Sequence, residues 1–497
     1  MPRPNILCFV TDQHRADHLG CYGNRQVRTP NIDRLAREGV TFAESFVCNP
    51  VCMPNRASMF TGTYPSCHGL NENGFTLDPS TRVLPQLLAD TGYNTACVGK
   101  IHLAPFQMTR DLAKHDWELY ESEQHWNAGG EPPRPYYGFE EVCLVDGHGP
   151  YTFGDYKRWL DGNAPGAYEK LRQRSAISPP TGARDSWKSS IPQELHYNTF
   201  IADRTIDFLR RQDKDRPFFL WCSFPDPHHP YSPPRPYCDQ YDPRDIDFSP
   251  ARRAGELDDL PDYFALSFAG KIGTGGLRGD LRGLTDDHYR EILAHTYGMI
   301  SMVDAQVGRV MQSLEELSLL DDTIVVFMSD HGDLMGDHWL INKGPYLYRG
   351  LVRVPNVWRS PGCRDAGRQS SAMVSTVDFC PTVLELAGAP VSDDIQGRSY
   401  RAVLDGSTKQ TQDCVLIEYD ESYIEARLRQ LRTADWTITA YIERADGLLF
   451  DLRNDPSELH NLWDEPRCES IKSDLLDQLH RRFGPPAPWT PGKAVHA

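Results

Sequence analysis

Residues 47–62, VCNPVCMPNRASMFTG, set a cysteine, prolines and an arginine at short spacing. Pro54 fixes φ for a first helical turn, where its missing N–H costs nothing. Residues 57–60 can carry the turn on, and Gly62 can close it in a left-handed conformation. Cys52 is therefore expected just ahead of a helix N-terminus, with Arg56 one turn later projecting back toward it. A helix start plus a guanidinium favours a thiolate, an oxyanion or a bound tetrahedral anion. A lone cysteine is more often a small buried hydrophobe, so this stretch needs partners before it reads as a site.

Four other places supply them. Asp12 and Gln13 follow the apolar run 5–10, Lys100 and His102 follow 93–98, His228 follows 217–224 between prolines, and Asp330 and His331 follow 323–328. Lys343 sits in a glycine-containing loop beyond. Asp12 and Asp330, with an oxygen from Gln13 or from a neighbour of His331, can ligate a hard divalent cation. His331 can serve instead as a nitrogen ligand for a softer ion such as Mn. Lys100 and His102 are two apart, so on an extended segment both face one way and can hold an anionic oxygen beside a base. Each group alone has a plainer reading as a turn, a cap or a solvated side chain. Their delivery to one edge is what points to chemistry. Thiol catalysis by Cys52 would leave the Asp and Lys residues without a task.

The elements that must position these groups alternate. The run 5–10 is continuously apolar, as in a parallel sheet buried on both faces. Strands at 40–46, 93–98, 217–224 and 323–328 are separated by helices opening at Thr29-Pro30, near 84, near 195 and at Thr285. This predicts a doubly wound α/β sheet, whose ligands bind at the carboxyl ends of the strands. A further short strand is expected at 349–357 and a helix at 381–388. Residues 103–190 and 231–284 read as long loops with short helices that shape a pocket and select the substrate alcohol. The polar, turn-rich stretch 395–412 suggests a boundary, giving a catalytic domain over 1–405 and a small α+β domain over 406–497.

With 497 residues the chain has room for both. No apolar run reaches eighteen residues, which argues against a membrane partner. The N-terminus enters a strand at once with no signal-peptide pattern, so a cytoplasmic protein is expected. Thirteen cysteines without any CxxC spacing argue against a zinc ribbon or redox motif. A formal charge of −17 argues against nucleic acid as a partner and would repel an anionic substrate. Any anion site must therefore be locally cationic. A homo-oligomer stays open.

Cys52-Met53-Pro54-Asn55-Arg56 followed by Thr61-Gly62 resembles the C-x-P-x-R signature of the type I sulfatases. TDQHRADHLGCYG resembles that family's first metal-binding strand end, GKIHL its G-K-x-H, and PDPHHP its P-H-x-P. SDHGDLMGDH with NKG resembles its second metal strand and substrate lysine, and LFDLRNDPSELHNL its D-P-x-E-x-x-N-L. The ordered series spans nearly the whole chain. It implies an alkaline-phosphatase-like α/β domain with a small C-terminal domain, and a metal-dependent hydrolase of small-molecule sulfate esters.

The resemblance also implies roles. Cys52 is oxidised by a formylglycine-generating enzyme to formylglycine (3-oxoalanine), whose hydrate is the nucleophile, with Arg56 fixing it. One hydroxyl attacks sulfur, and deprotonation of the other by His102 releases sulfate. His228 protonates the leaving alcohol, while Lys100 and Lys343 offset sulfuryl charge. Asp12, Gln13, Asp330 and His331 hold one divalent cation, with Ca favoured and Mn the alternative because Gln13 stands where many sulfatases have a second Asp. Gln13 and Asn73 are substrate contacts, with Asn71 a rival to Asn73. Phosphonate monoester hydrolases and phosphodiesterases of the same superfamily resemble the chain in the nucleophile motif and the D-Q. They lack the Lys-x-His pair, which ranks them second. A silent anion-binding protein is the third reading.

Overall fold

The computed structural model describes residues 3–106, 119–271, 280–363, 365–422, 426–442 and 444–484. Residues 107–118 and 272–279, parts of the two long insertions read as loops, lie outside the described residues.

The strand expected at 5–10 is β1 (Asn5–Thr11), and it is the axis of a nine-stranded sheet. The other strands are β2 (Val40–Phe46), β3 (Asn94–Gly99), β4 (Glu141–Asp146), β5 (Phe153–Gly154), β6 (Phe218–Phe224), β7 (Thr323–Ser329), β8 (Asn356–Arg359) and β9 (Arg368–Ser375). Their order is β5-β4-β3-β6-β1-β7-β8-β2-β9. From β4 to β7 every pairing is parallel, and only β5 and β8 run antiparallel to their neighbours. Register is tight at the centre, with Thr11 opposite both Phe224 and Ser329. The residues that follow β1, β6 and β7 therefore emerge side by side.

Both faces of the sheet are covered, which explains the unbroken apolar runs. Leu7 and Phe9 point into one core with helix α4 (Tyr197–Arg210) and the long helix α5 (Asp286–Glu316). Ile6, Cys8 and Val10 point into the other, with α2 (Cys52–Thr61) and α6 (Phe379–Leu386). Helices α1 (Pro30–Glu38) and α3 (Leu84–Ala89) complete the layers. Thr285 caps α5 as expected, reciprocally with His288. Thr29 makes no cap hydrogen bond to α1. Instead Asp304, on α5, accepts from the Asn31 and Ile32 amides at 3.0 and 2.8 Å.

Beyond the main sheet, β10 (Cys414–Glu421), β11 (Ala426–Thr433), β12 (Trp436–Tyr441) and β13 (Gly447–Asp451) form an antiparallel meander, followed by α7 (Glu469–Phe483). Its Val415, Ile417, Tyr419, Leu428 and Phe450 join the core of the main sheet. Its Leu416, Leu431, Ile438 and Leu449 pack with Leu475 and Leu479 of α7.

Three local expectations fail. Residues 349–357 are not one strand but a helical turn, Arg349–Val352, and then β8. Residues 103–190 contain β4 and β5 as well as loops, and β9 and β11 were not anticipated. β4, β9 and β11 carry polar residues at buried positions, Asp146, Ser370, and Arg429 with Arg432, while β5 is only two residues long. The alternation that marks a half-buried strand is thereby blurred.

Candidate active site

The site is assembled at the carboxyl ends of β1, β3, β4, β6 and β7 around the first turn of α2. That helix begins at Cys52 itself, with Val51 as its N-cap, so Pro54 lies inside the first turn rather than opening it. Gly62 closes the helix at φ +70°, as the sequence demanded. Cys52 is buried, and its Sγ lies 3.1 Å from His331 Nε2, 3.0 Å from Lys343 Nζ and 3.5 Å from Asp12 Oδ1. Burial, and then Asp12, push the thiol up to about 11 against the pull of Lys343 and Lys100. The thiolate expected from the helix start is thus not favoured at neutral pH.

Arg56 does not spend its donors on Cys52. Its Nε donates to Asp330 Oδ2 at 2.7 Å and its Nη1 to Ser223 Oγ and the Lys100 carbonyl at 3.0 and 3.1 Å. Its Nη2 has no hydrogen-bond partner and lies 3.6 Å from Asp12 Oδ2. Lys100 Nζ pairs with Asp12 Oδ2 and lies 2.7 Å from His148 Nε2. Burial alone would raise the Asp12 carboxyl, but Lys100 and then His228 and His148 hold it well below the usual carboxylate range. Arg56, Lys100 and Lys343 face Asp12 and Asp330, all of them buried. This local cationic excess is what the −17 chain requires to admit an anion.

The groups read as cation ligands fit that purpose by their own hydrogen bonding. Ligand atoms of Asp12, Cys52, Asp330 and His331 all lie within 4.8 Å of one another. His331 Nδ1 is 2.8 Å from the Gly332 carbonyl, which can only accept, so the ring proton sits on Nδ1 and Nε2 presents its lone pair to the centre, 3.1 Å from both Lys343 Nζ and Cys52 Sγ. Burial and then Lys343 lower His331 to about 4, keeping it neutral. Gln13 is similarly fixed. It takes a left-handed φ of +60°, and its Nε2 donates to Asp333 Oδ2 at 2.5 Å, so its carbonyl Oε1 turns toward Lys343 Nζ, 3.5 Å away. Two carboxylates, an amide oxygen and an imidazole nitrogen are a donor set that suits a hard or borderline divalent cation.

His228 Nε2 is 3.0 Å from Lys343 Nζ, and its Nδ1 is 2.5 Å from the His229 carbonyl. Burial, His148 and Lys343 hold its pKa well below the ordinary imidazole value. His102 is buried at φ +63°, stacks on Phe106 at 3.9 Å, and has no hydrogen-bond partner on either ring nitrogen. Burial and then Lys100 depress it well below its ordinary value, leaving a neutral base. Asn73 accepts from the Met53 amide at 3.2 Å, so its oxygen caps α2 beside Cys52. Asn71 has a buried oxygen without a partner.

Sequence reasoning missed several neighbours. His148, beyond β4, stacks on His228 at 3.6 Å and touches Lys100. Asp333 fixes Gln13, and Asn55 donates to the Asp330 carbonyl at 2.5 Å. His148 lay in the stretch read as loop, where recognising EVCLVD as a strand would have placed it at the same sheet edge. Asp333 was visible in the SDHGD run, but its use as an orienter of Gln13 depends on tertiary contact.

Fold and site together define an alkaline-phosphatase-like hydrolase. The structure superposes on a phosphonate monoester hydrolase of Agrobacterium radiobacter with a TM-score of 0.83 and 29% identity, covering 97% of this chain and 95% of that one. The family model described as Sulfatase matches residues 4–389, and the model of the N-sulphoglucosamine sulphohydrolase C-terminal region matches 336–483. The chain belongs to the sulfatase family. An arylsulfatase of Clostridium perfringens is 29% identical over 97% of this chain and 95% of its own length. An N-acetylglucosamine-6-O-sulfatase of Bacteroides thetaiotaomicron is 26% identical over 96% and 86%. The protein is accordingly a sulfatase enzyme, acting on sulfate esters.

Proposed function

We propose that the chain hydrolyses small-molecule sulfate monoesters with a formylglycine made from Cys52 and one divalent cation held by Asp12, Gln13, Asp330 and His331. The observation that carries this is the placing of Cys52 Sγ, 3.0–3.5 Å from Lys343, His331 and Asp12, at the start of α2 within the C-x-P-x-R motif. The hydrated aldehyde supplies an oxygen nucleophile for sulfur, and the cation, Ca or Mn, supplies positive charge against the sulfuryl oxygens.

The side chains do the rest. Lys100 and Lys343 flank the position of the sulfuryl group from two sides and offset its charge. Arg56, through Asp330 and Asp12, keeps both carboxylates turned to the centre. His102 is neutral and has free ring nitrogens, so it can take the proton of the nucleophile's second hydroxyl. His228 offers Nε2 to the leaving oxygen. The anionic substrate, set between it and Lys343, reverses the electrostatic bias that keeps it neutral.

The test is mass spectrometry of the peptide containing Cys52 from protein co-expressed with a formylglycine-generating enzyme. The aldehyde or its hydrate is expected, and an unmodified thiol in protein of full activity sinks the assignment. Phosphonate monoester hydrolysis is the second reading, favoured by the fold match with the Agrobacterium enzyme. Turnover of an aryl sulfate against a phenylphosphonate monoester in one preparation ranks the two. We expect the sulfate to be preferred, because Lys100 and His102 form the Lys-x-His pair that resembles the sulfatases rather than the phosphonate monoester hydrolases.

A further inference from the structure

Glu121 is fully buried, and four donors converge on it. Its Oε2 accepts from the His102 amide at 2.6 Å and the Leu103 amide at 3.2 Å. Its Oε1 accepts from the Leu103 and Ala104 amides, both at 3.1 Å, and from the Tyr136 hydroxyl at 2.8 Å. Three successive amides turned onto one carboxylate form the concave anion-binding arrangement that loops use for phosphates. Here the anion is the protein's own side chain.

The arrangement explains an otherwise costly conformation. His102 sits at φ +63°, which costs a non-glycine residue about 1–3 kcal/mol unless its surroundings enforce it. A catalytic imidazole is usually oriented by a hydrogen bond to its second nitrogen. Among the described residues His102 has none, and its ring stacks on Phe106 and is carried by its own backbone. The backbone is what Glu121 holds.

We infer that Glu121 is a positioning residue for His102, replacing the missing ring hydrogen bond with a grip on the 102–104 amides. The inference rests on His102 being the base of the proposed reaction. Glu121→Gln tests it, because the amide must turn an NH2 against backbone N–H groups in place of one acceptor. The matured enzyme is compared as wild type, Glu121→Gln, His102→Asn and the double variant, using an aryl sulfate. Asn suits the left-handed position and removes the base.

Glu121→Gln should lower kcat about tenfold or more while KM moves little, within the range a general base supplies. In the His102→Asn background the same substitution should cost almost nothing further. Hydrogen exchange of the peptide covering residues 100–106 should accelerate in Glu121→Gln. Should that variant not fold, Tyr136→Phe removes a single donor and should show a smaller kcat loss with the same dependence on His102. An equal loss in both backgrounds, or unchanged exchange, overturns the inference and leaves the proposed function standing. Full kcat in His102→Asn overturns the base assignment itself, and the inference with it.

Discussion

Lys100 carries more than one duty in this site. Its ammonium neutralises Asp12, accompanies His148, and lies over the Phe106 ring at 5.3 Å, so it couples the cation site to the wall of the pocket. Truncation should therefore harm the reaction more than the fold. Lys100→Ala is expected to lower kcat/KM for an aryl sulfate by about 10²-fold, the usual loss for one preorganised charge at a developing anion. Steady-state kinetics beside a thermal melt reads both quantities. A melt that collapses while the remaining folded enzyme turns over normally would assign Lys100 to structure alone. Cys52 makes the complementary point. With its thiol pushed up to about 11, the unmodified side chain is poorly suited to attack at neutral pH, so converting it to another functional group has a physical purpose.

Helix α1 shows how one element is tied to another without a local signal. Its N-terminal amides are taken by Asp304 from α5, and Asn31 Nδ2 adds a third bond at 2.8 Å. Burial pushes the Asp304 carboxyl up to about 6 despite these donors. A folded value above the unfolded one of about 3.9 means its contribution is fully present at low pH and is lost as pH rises through about 6. Asp304→Ala should thus destabilise by about 1–2 kcal/mol at pH 8, the size of a lost cap, and by more at pH 5. Melts of both proteins at the two pH values check the sign. A penalty that shrinks toward pH 5 contradicts it.

The C-terminal meander is tied to the main body by shared core and by a buried carboxylate, Glu458, that bonds to both. Glu458 accepts from Arg432 Nη1 of β11 at 2.6 Å and from the Arg349 amide of the main body at 2.7 Å, with both charged side chains at most 2% exposed. Removing one partner of such a pair leaves an uncompensated charge in a low-dielectric interior. Glu458→Ala is expected to cost about 3–5 kcal/mol in denaturant unfolding. A loss below about 1 kcal/mol would show that water reaches Arg432.

How much of this was legible follows a physical division. Chain-local chemistry was readable: the apolar runs of β1, β6 and β7, the Gly62 cap and the Thr285 cap depend on neighbours in sequence. So was the convergence of Asp12, Lys100, His228 and Asp330, because parallel strands deliver their carboxyl ends to one edge. What the fold alone decided was direction and pairing. Arg56 was expected at Cys52 but donates to Asp330, and Asn73 spends its oxygen on the helix start. Gln13 owes the orientation of its amide to Asp333, and His102 owes its backbone to Glu121. β9 and β11 hid because their buried polar residues are satisfied by partners distant in sequence, as Arg432 is by Glu458. Sequence alone determined which strand ends bring reactive groups to one edge, since residue type and strand period are local. Tertiary structure decided which atom of each group faces the centre, since buried hydrogen bonds are settled only once every donor has found its acceptor.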